Sequence, residues 1–225
     1  MSLELIQANH VEQKYTVLFK IAESRSETRQ CQSLVSEVYY KKLGISFSET
    51  EYDIEAKIEL YPHHYLMGVV NDEIVACMGL YLHSTNPERY GKVTEQDIDQ
   101  LLIEAGAANR YSGKHIRELS KFVVKDEWRK KGLGKLLMGA AHSRDFIHMN
   151  EEQPHLLVSC ANTSIFQYFS DTLEIRTRTI KPVPFYKIHE FYRADREAME
   201  SRLTIPDIDI PAKWYNATIP GEYQL

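Results

Sequence analysis

Phe122-Val123-Val124-Lys125-Asp126-Glu127-Trp128-Arg129-Lys130-Lys131-Gly132-Leu133-Gly134-Lys135 leaves an apolar stretch, crosses a basic turn spaced by glycines and enters a helix-forming segment. Upstream, Ile116 to Val124 reads as a strand, because its apolar end suits a pleated, buried surface. Downstream, Leu133, Leu136, Leu137, Ala140, Ala141 and Ile147 share one face of a single long helix. A junction of this kind suits a phosphate-bearing ligand. Small residues let the backbone wrap closely around an anion. The first N–H groups of a helix have no internal partner, and the helix dipole favours negative charge at that end. Arg129, Lys130, Lys131 and Lys135 add positive charge to a chain whose net charge is −5.

Three phosphate-binding patterns compete for Gly132-Leu133-Gly134-Lys135. A Walker loop needs a glycine five residues before the second one and Ser or Thr after the lysine; neither is present, and Leu136 follows Lys135. A dinucleotide fingerprint needs a third glycine where Leu137 stands. The pattern Arg/Gln-x-x-Gly-x-Gly/Ala is met at every position by Arg129 to Gly134.

Working outward, Tyr15 to Ala22 reads as a strand, and Ser24 with Glu27 forms a capping box for a helix over about 26–42, with Ser26 as an alternative cap. The acidic stretch 45–61 reads as loop followed by a short helix. Tyr65–Val70 and Ile74–Tyr81 around Asn71-Asp72-Glu73 predict a hairpin. Residues 84–113 look like a surface insertion, with a helix opening at Thr94 to Asp97. Leu156–Cys160 is a short buried strand, followed by a brief helix carrying Ile165, Phe166, Phe169 and Leu173. Two more strands are expected at 174–180 and 185–191, and an extended tail from 203 to 225 lying on a single domain of 1–202. Hairpins mixed with helix crossovers imply an α+β chain with a mixed sheet rather than a purely parallel one.

The bulk properties narrow the function. With 225 residues and 43% hydrophobic content the chain can bury a generous core. The acidic balance gives no electrostatic reason for general nucleic-acid binding. Cys31, Cys77 and Cys160 lack CxxC spacing, which argues against a disulfide framework or a structural zinc site. The nine histidines form no metal motif, and no metal is expected; His142 and His148 are placed on the exposed side of the long helix. No apolar run reaches the roughly 18 residues a membrane span needs, and no signal peptide is evident, so a soluble, cytoplasmic protein is expected.

The segment 118–135 resembles the GNAT superfamily of N-acyltransferases. That family shows an apolar strand end, a short polar turn with an aromatic residue before the arginine, and then this loop; Phe122 to Arg129 follow it, with Asp126 where proline is common. The compatible order of elements runs from about Tyr15 to Phe191. The resemblance implies a central mixed, mostly antiparallel sheet flanked by helices, with an acyl-CoA cleft beside a splayed strand. It implies that Arg129, Lys130, Lys131, Gly132, Leu133, Gly134 and Lys135 hold the pyrophosphate of coenzyme A, and that Phe122, Val123 and Val124 run beside the pantetheine arm. Val124 would offer its N–H to the thioester oxygen, and Asn162 stands where the family's next helix opens. The donor implied is acetyl-CoA or a longer acyl-CoA, the acceptor a small-molecule or amino-acid amine, and the molecule a monomer or homodimer. Glu118 is the candidate catalytic base, because strand alternation places Glu118, Ser120, Phe122 and Val124 on one face. A structural ion pair with Arg117 or Lys121 is the alternative reading of Glu118. The family's usual acid, a tyrosine seven residues past the asparagine, is replaced by Phe169, with Tyr168 one residue off. Cys160, in an apolar strand, is a poor nucleophile.

Glu118-Leu119-Ser120-Lys121-Phe122-Val123-Val124 is also similar to the strand of autoinducer and N-acyl amino acid synthases, GNAT relatives that take acyl chains from acyl carrier protein. Lys121 stands where they carry arginine and loses its bidentate fork. Their first-helix motif keeps its frame in Leu34 to Tyr39, with Val35 in place of arginine. Three readings follow: an acyl-CoA-dependent N-acyltransferase, an acyl-carrier-protein-dependent synthase, and a GNAT-fold module that senses a thioester without catalysis.

Overall fold

The computed structural model describes residues 14–43, 64–82, 93–149, 151–182, 199–216 and 221–224. The expected helix within 45–61, the first part of the 84–113 segment and the expected strand at 185–191 lie outside them. In chain order the elements are β1 (Thr16–Ile21), α1 (Arg25–Leu43), β2 (His64–Val70), β3 (Glu73–Tyr81), α2 (Glu95–Glu104), β4 (Ile116–Val124), α3 (Leu133–Ala141) and α4 (Arg144–His148). They continue with β5 (Leu156–Asn162), α5 (Thr163–Leu173), β6 (Arg178–Pro182), β7 (Met199–Thr204), α6 (Pro206–Asp209), α7 (Ala212–Tyr215) and β8 (Gly221–Gln224).

The strands form one eight-stranded sheet in the order β6-β7-β5-β4-β3-β2-β1-β8. Every neighbouring pair is antiparallel except β4 and β5, which run parallel. The hairpin β2–β3 turns through Asn71 and Asp72, both at positive φ (48° and 63°), as a tight turn between twisted strands requires. α1 opens on the capping box: Glu27 N–H donates to Ser24 Oγ at 3.1 Å, and Ser24 N–H donates to Glu27 Oε2 at 3.1 Å. Its buried face, Cys31, Leu34, Val35 and Val38, packs on Tyr65, Met67, Cys77 and Val123. On the other face of the sheet α3, α4 and α5 bury Leu133, Leu137, Phe146, Ile147, Phe166, Phe169 and Leu173 against Leu66, Met78, Leu80, Leu119 and Leu157.

Five expectations need correction. The segment holding α2 is no surface appendage: Ile98 and Leu102 are fully buried against Leu156, Val158, Leu203 and Ile205, closing the part of the sheet that α1 leaves bare. The single long helix is two, because His142 and Ser143 leave helical geometry between α3 and α4. His142 and His148 are accordingly buried, at 1% and 7% exposure, rather than on the exposed side. The bend lets His142 set Nδ1 2.8 Å from the Met138 carbonyl and its ring edge-on to Phe169 at 5.3 Å. Finally, the residues after 203 are not an extended tail. Pro206 and Pro211 start α6 and α7 at positions where a missing N–H does no harm, and Ile205 and Ile210 are buried. β8 then lies antiparallel on β1. The strand expected at 174–180 begins later, at Arg178, because Glu174 takes a left-handed conformation that ends α5.

α7 locks onto α3 by shape. Trp214 packs its ring directly against Gly139 and donates its Nε1–H to the Leu173 carbonyl at 2.9 Å. A Cβ on Gly139 would sit 2.0 Å from the Trp214 ring. Gly139→Ala is therefore expected to destabilise the fold by about 1–3 kcal/mol, read from chemical denaturation midpoints; an unchanged midpoint would mean that Trp214 shifts without loss.

His142 gives the fold a pH dependence. Burial holds its imidazole down to about 4, against the Met138 carbonyl, which favours the charged form. As pH falls, the unfolded chain takes up this proton near the ordinary value of 6.5, whereas the folded chain waits until about 4. The contribution is thus complete above the ordinary value and is lost on acidification, to the extent of roughly 3 kcal/mol. Denaturation midpoints compared between pH 7 and pH 4 should fall less steeply in His142→Gln than in the native chain.

Candidate functional site

The sheet opens in its middle. β4 and β5 pair from Ile116↔Leu156 to Leu119↔Ser159 and no further. β4 continues to Val124 on the β3 side, through Cys77↔Val123 and Ala76↔Val124. β5 continues to Asn162 on the β7 side, through Cys160↔Ser201, Ala161↔Glu200 and Asn162↔Met199. Each strand is drawn to its outer neighbour, so a wedge-shaped gap opens between them with its apex at Leu119 and Ser159.

One wall of the gap carries a β-bulge. Gly79 pairs with Ser120 and Cys77 with Val123, so Lys121 and Phe122 together oppose Met78. Lys121 absorbs the extra residue at φ 56°. This corrects the simple alternation. Glu118 pairs with Tyr81 and Val158 on the α1/α2 face, where Ser120 also lies, whereas Phe122 and Val124 pack with the α3-face core. Val123 points into the α1 core. Past the bulge, Lys125 N–H donates to the Val75 carbonyl at 2.9 Å. By antiparallel alternation the Val124 N–H and C=O then lie on the opposite edge, toward the gap.

The basic turn sits on the rim of this gap. A single 3-10 turn, Asp126–Trp128, buries Trp128 edge-on to Tyr15 at 5.0 Å. Two of the basic side chains are used to build the loop itself. Arg129 donates from Nε to the Val124 carbonyl at 3.0 Å and pairs with Asp126. Lys131 places Nζ 4.7 Å from the Trp128 ring centre and 5.8 Å from that of Tyr15. Lys130, Gly132 and Lys135 are exposed. Lys130 and Gly132 both take left-handed geometry, at φ 62° and 82°, which turns the backbone sharply into α3. The Gly132 carbonyl accepts from Lys135 and Leu136, so the helical ladder leaves the Leu133 and Gly134 N–H groups to an external acceptor. A Cβ on Gly134 would lie 3.3 Å from Phe122 and 3.9 Å from Val124, so the first turn of α3 rests directly on the β4 wall.

On the other wall Asn162 is the N-cap of α5, without a side-chain capping bond. Cys160 Sγ and Ser201 Oγ share a hydrogen bond at 3.0 Å. Burial pushes the Cys160 thiol up to about 12; the Ser201 bond opposes this and the Glu118 charge adds to it. That thiol is no nucleophile at neutral pH. Phe169 lies in the α3-face core against Phe166 and His142, and half-buried Tyr168, its hydroxyl raised by burial, packs at the edge of that core. Ser201 was not among the residues singled out from the sequence. Its place comes from β7 pairing with β5 across more than 40 residues, for which no local signal exists. Among the described residues no group of three or more His, Cys, Asp or Glu could hold a metal ion, and no helix is long and apolar enough to cross a membrane.

A family model described as the acetyltransferase (GNAT) family matches residues 29–146, just over half of the sequence, and takes in α1, the hairpin, β4, the turn and α3. The chain belongs to the GNAT family. Its mixed, mostly antiparallel sheet flanked by helices is the GNAT fold. No curated protein sequence is similar enough to refine that assignment. Solved structures of similar fold include the AHL synthase LasI, at 15% identity over 94% of this chain and 100% of that one, with a TM-score of 0.56. Another is ElaA of Escherichia coli, at 11% identity over 84% and 99%, with a TM-score of 0.51. A third is BjaI, a CoA-dependent acyl-homoserine lactone synthase solved with SAM and isopentyl-CoA, at 15% identity over 88% and 85%, with a TM-score of 0.52. At such identities these likenesses concern the GNAT fold alone.

Proposed function

We propose that this GNAT chain is an N-acyltransferase that moves an acyl group from acyl-CoA, acetyl-CoA by default, to a primary amine by direct attack in a ternary complex. The observation that carries this reading is the placement of α3's unpaired N–H groups on the rim of the β4–β5 gap. A diphosphate seated there has its pantetheine arm led along Phe122 and Val124 toward the apex. Gly132, Leu133 and Gly134 supply backbone donors, and Lys130 and Lys135 supply screened positive charge. Arg129 and Lys131 act by shaping the loop, and Val123 contributes only its backbone. Asn162 faces the arm from the opposite wall. The Val124 N–H polarises the thioester carbonyl as negative charge develops on its oxygen.

The bulge then gives the two substrates separate approaches. The donor comes in on the α3 face, and the amine comes in on the α1/α2 face, where Glu118 is buried at 6% exposure. Glu118, directly or through a water, takes the ammonium proton so that a neutral amine can attack. The C–N bond forms, the C–S bond breaks, and the thiolate leaves to be protonated.

The acyl-carrier-protein reading has weaker support, because Val35, standing where the synthase resemblance asks for arginine, is buried in the α1 core. Free CoA and acetyl-, octanoyl- and palmitoyl-CoA should each be tried for thermal protection; at least one is expected to raise the melting temperature. With that donor and a panel of amines, Glu118→Gln should lower kcat by about 10²–10⁴-fold while donor affinity is kept. N-acyl products formed only from acyl carrier protein would favour the synthase reading. Tight acyl-CoA binding without turnover of any amine would favour the sensor.

A further inference from the structure

The opposite end of β4 holds a second group of charged side chains that the acyl-transfer reading does not use. Arg117 shares the α3 face with Leu119 and is only 1% exposed. Among the described residues its ion-pair partner is Glu151, with Nη2 2.8 Å from Oε1, and the Glu151 side chain is 54% exposed. The carboxylate lies off the N–H direction, so Nη2 gains charge attraction without a formed hydrogen bond, and Nε has no acceptor. Nε and Nη2 form the side-on edge of the guanidinium, the edge that grips a carboxylate with two parallel bonds. His155, 7% exposed, holds Nε2 3.4 Å from the other Glu151 oxygen. Glu151 and His155 also line a cavity of about 390 Å³, together with Lys114, His115 and Gln153.

We propose that this is a binding site for a small carboxylate ligand, with Arg117 as its anchor and Glu151 as an internal occupant that the ligand displaces. A buried guanidinium loses its hydration, and a half-exposed carboxylate held at a poor angle is a weak, screened replacement. A ligand carboxylate seated side-on would satisfy both orphaned nitrogens. The surrounding histidines favour a singly charged group over a phosphate. Burial, reinforced by Arg117, holds His155 down to about 4 and His64 below its ordinary value, and burial with Arg144 does the same for His148. Neutral imidazoles donate or accept hydrogen bonds but add no charge. Arg117 thus lies behind Glu151, which together with His155 and Lys114 lines the cavity, and the cavity has the size of a small-molecule pocket. This inference does not rest on the acyl-transfer reading.

The test titrates the full chain with acetate, succinate, glycine and glutamate at constant ionic strength, following the melting temperature and amide chemical shifts. At least one probe should give a saturable response. Glu151→Gln should lower its half-saturation about tenfold by vacating the fork. Arg117→Lys, which keeps the charge and loses the fork, should abolish the response. No response in either the native chain or Glu151→Gln overturns the proposal, and so does an undiminished response in folded Arg117→Lys. Should Arg117→Lys fail to fold, the Glu151→Gln comparison decides alone, because unchanged half-saturation there rejects displacement. An amino acid that is both bound and acylated, with its KM raised by Arg117→Lys, identifies the carboxylate as the acceptor's; a bound carboxylate that is never acylated identifies an effector.

Discussion

The parallel pair β4–β5 is the joint on which the molecule turns. Among the described strands it is the one parallel contact, and it ends at Leu119↔Ser159 while both strands continue. The antiparallel ladders outside it, β3–β4 and β5–β7, continue past that point and draw the strands apart. Backbone groups freed inside a sheet would normally be a liability. Here they face a wedge lined by strand edges and two helix N-termini, where an extended ligand can satisfy them. The bulge at Lys121, the loop before α3 and the start of α5 are all placed by reference to that opening.

One hydrogen bond and one packing contact fix the loop to the wedge. Arg129 ties its own segment to the Val124 carbonyl, and the first turn of α3 presses Gly134 on Phe122 and Val124. The basic residues therefore divide by task. Read as sequence, Arg129 to Lys135 is a uniform run of positive charge. In the fold Arg129 is tied into the loop, Lys131 stays exposed while resting on the Trp128 ring, and Lys130 and Lys135 are exposed.

Local chemistry was legible in the sequence. The Ser24–Glu27 box, the Asn71-Asp72 turn and the glycine-spaced loop each declare themselves within a few residues, and each stands where it was expected. Features that need a distant partner were not legible. The bulge is defined only by register against Gly79 and Met78, so alternation along β4 alone put Glu118 on the wrong face relative to Phe122. The break at His142 and Ser143 contains neither glycine nor proline; it is set by packing of His142 on Phe169. Pro206 and Pro211 looked like marks of extended chain and instead open short helices, because Ile205, Asp209 and Ile210 have buried places to fill. Arg117 figured in the sequence only as a possible partner of Glu118; in the fold it is buried and pairs with Glu151, from the segment before β5.

The chain's two tryptophans stand at either end of α3. Trp128 lies under Lys131 at the rim of the gap, and Trp214 lies against Gly139 with its indole N–H on Leu173. The molecule thus carries a built-in optical gauge. A ligand that draws Lys131 away from the indole changes the emission of Trp128 and leaves Trp214 as an internal standard, so occupancy of the rim can be followed by intrinsic fluorescence without a label.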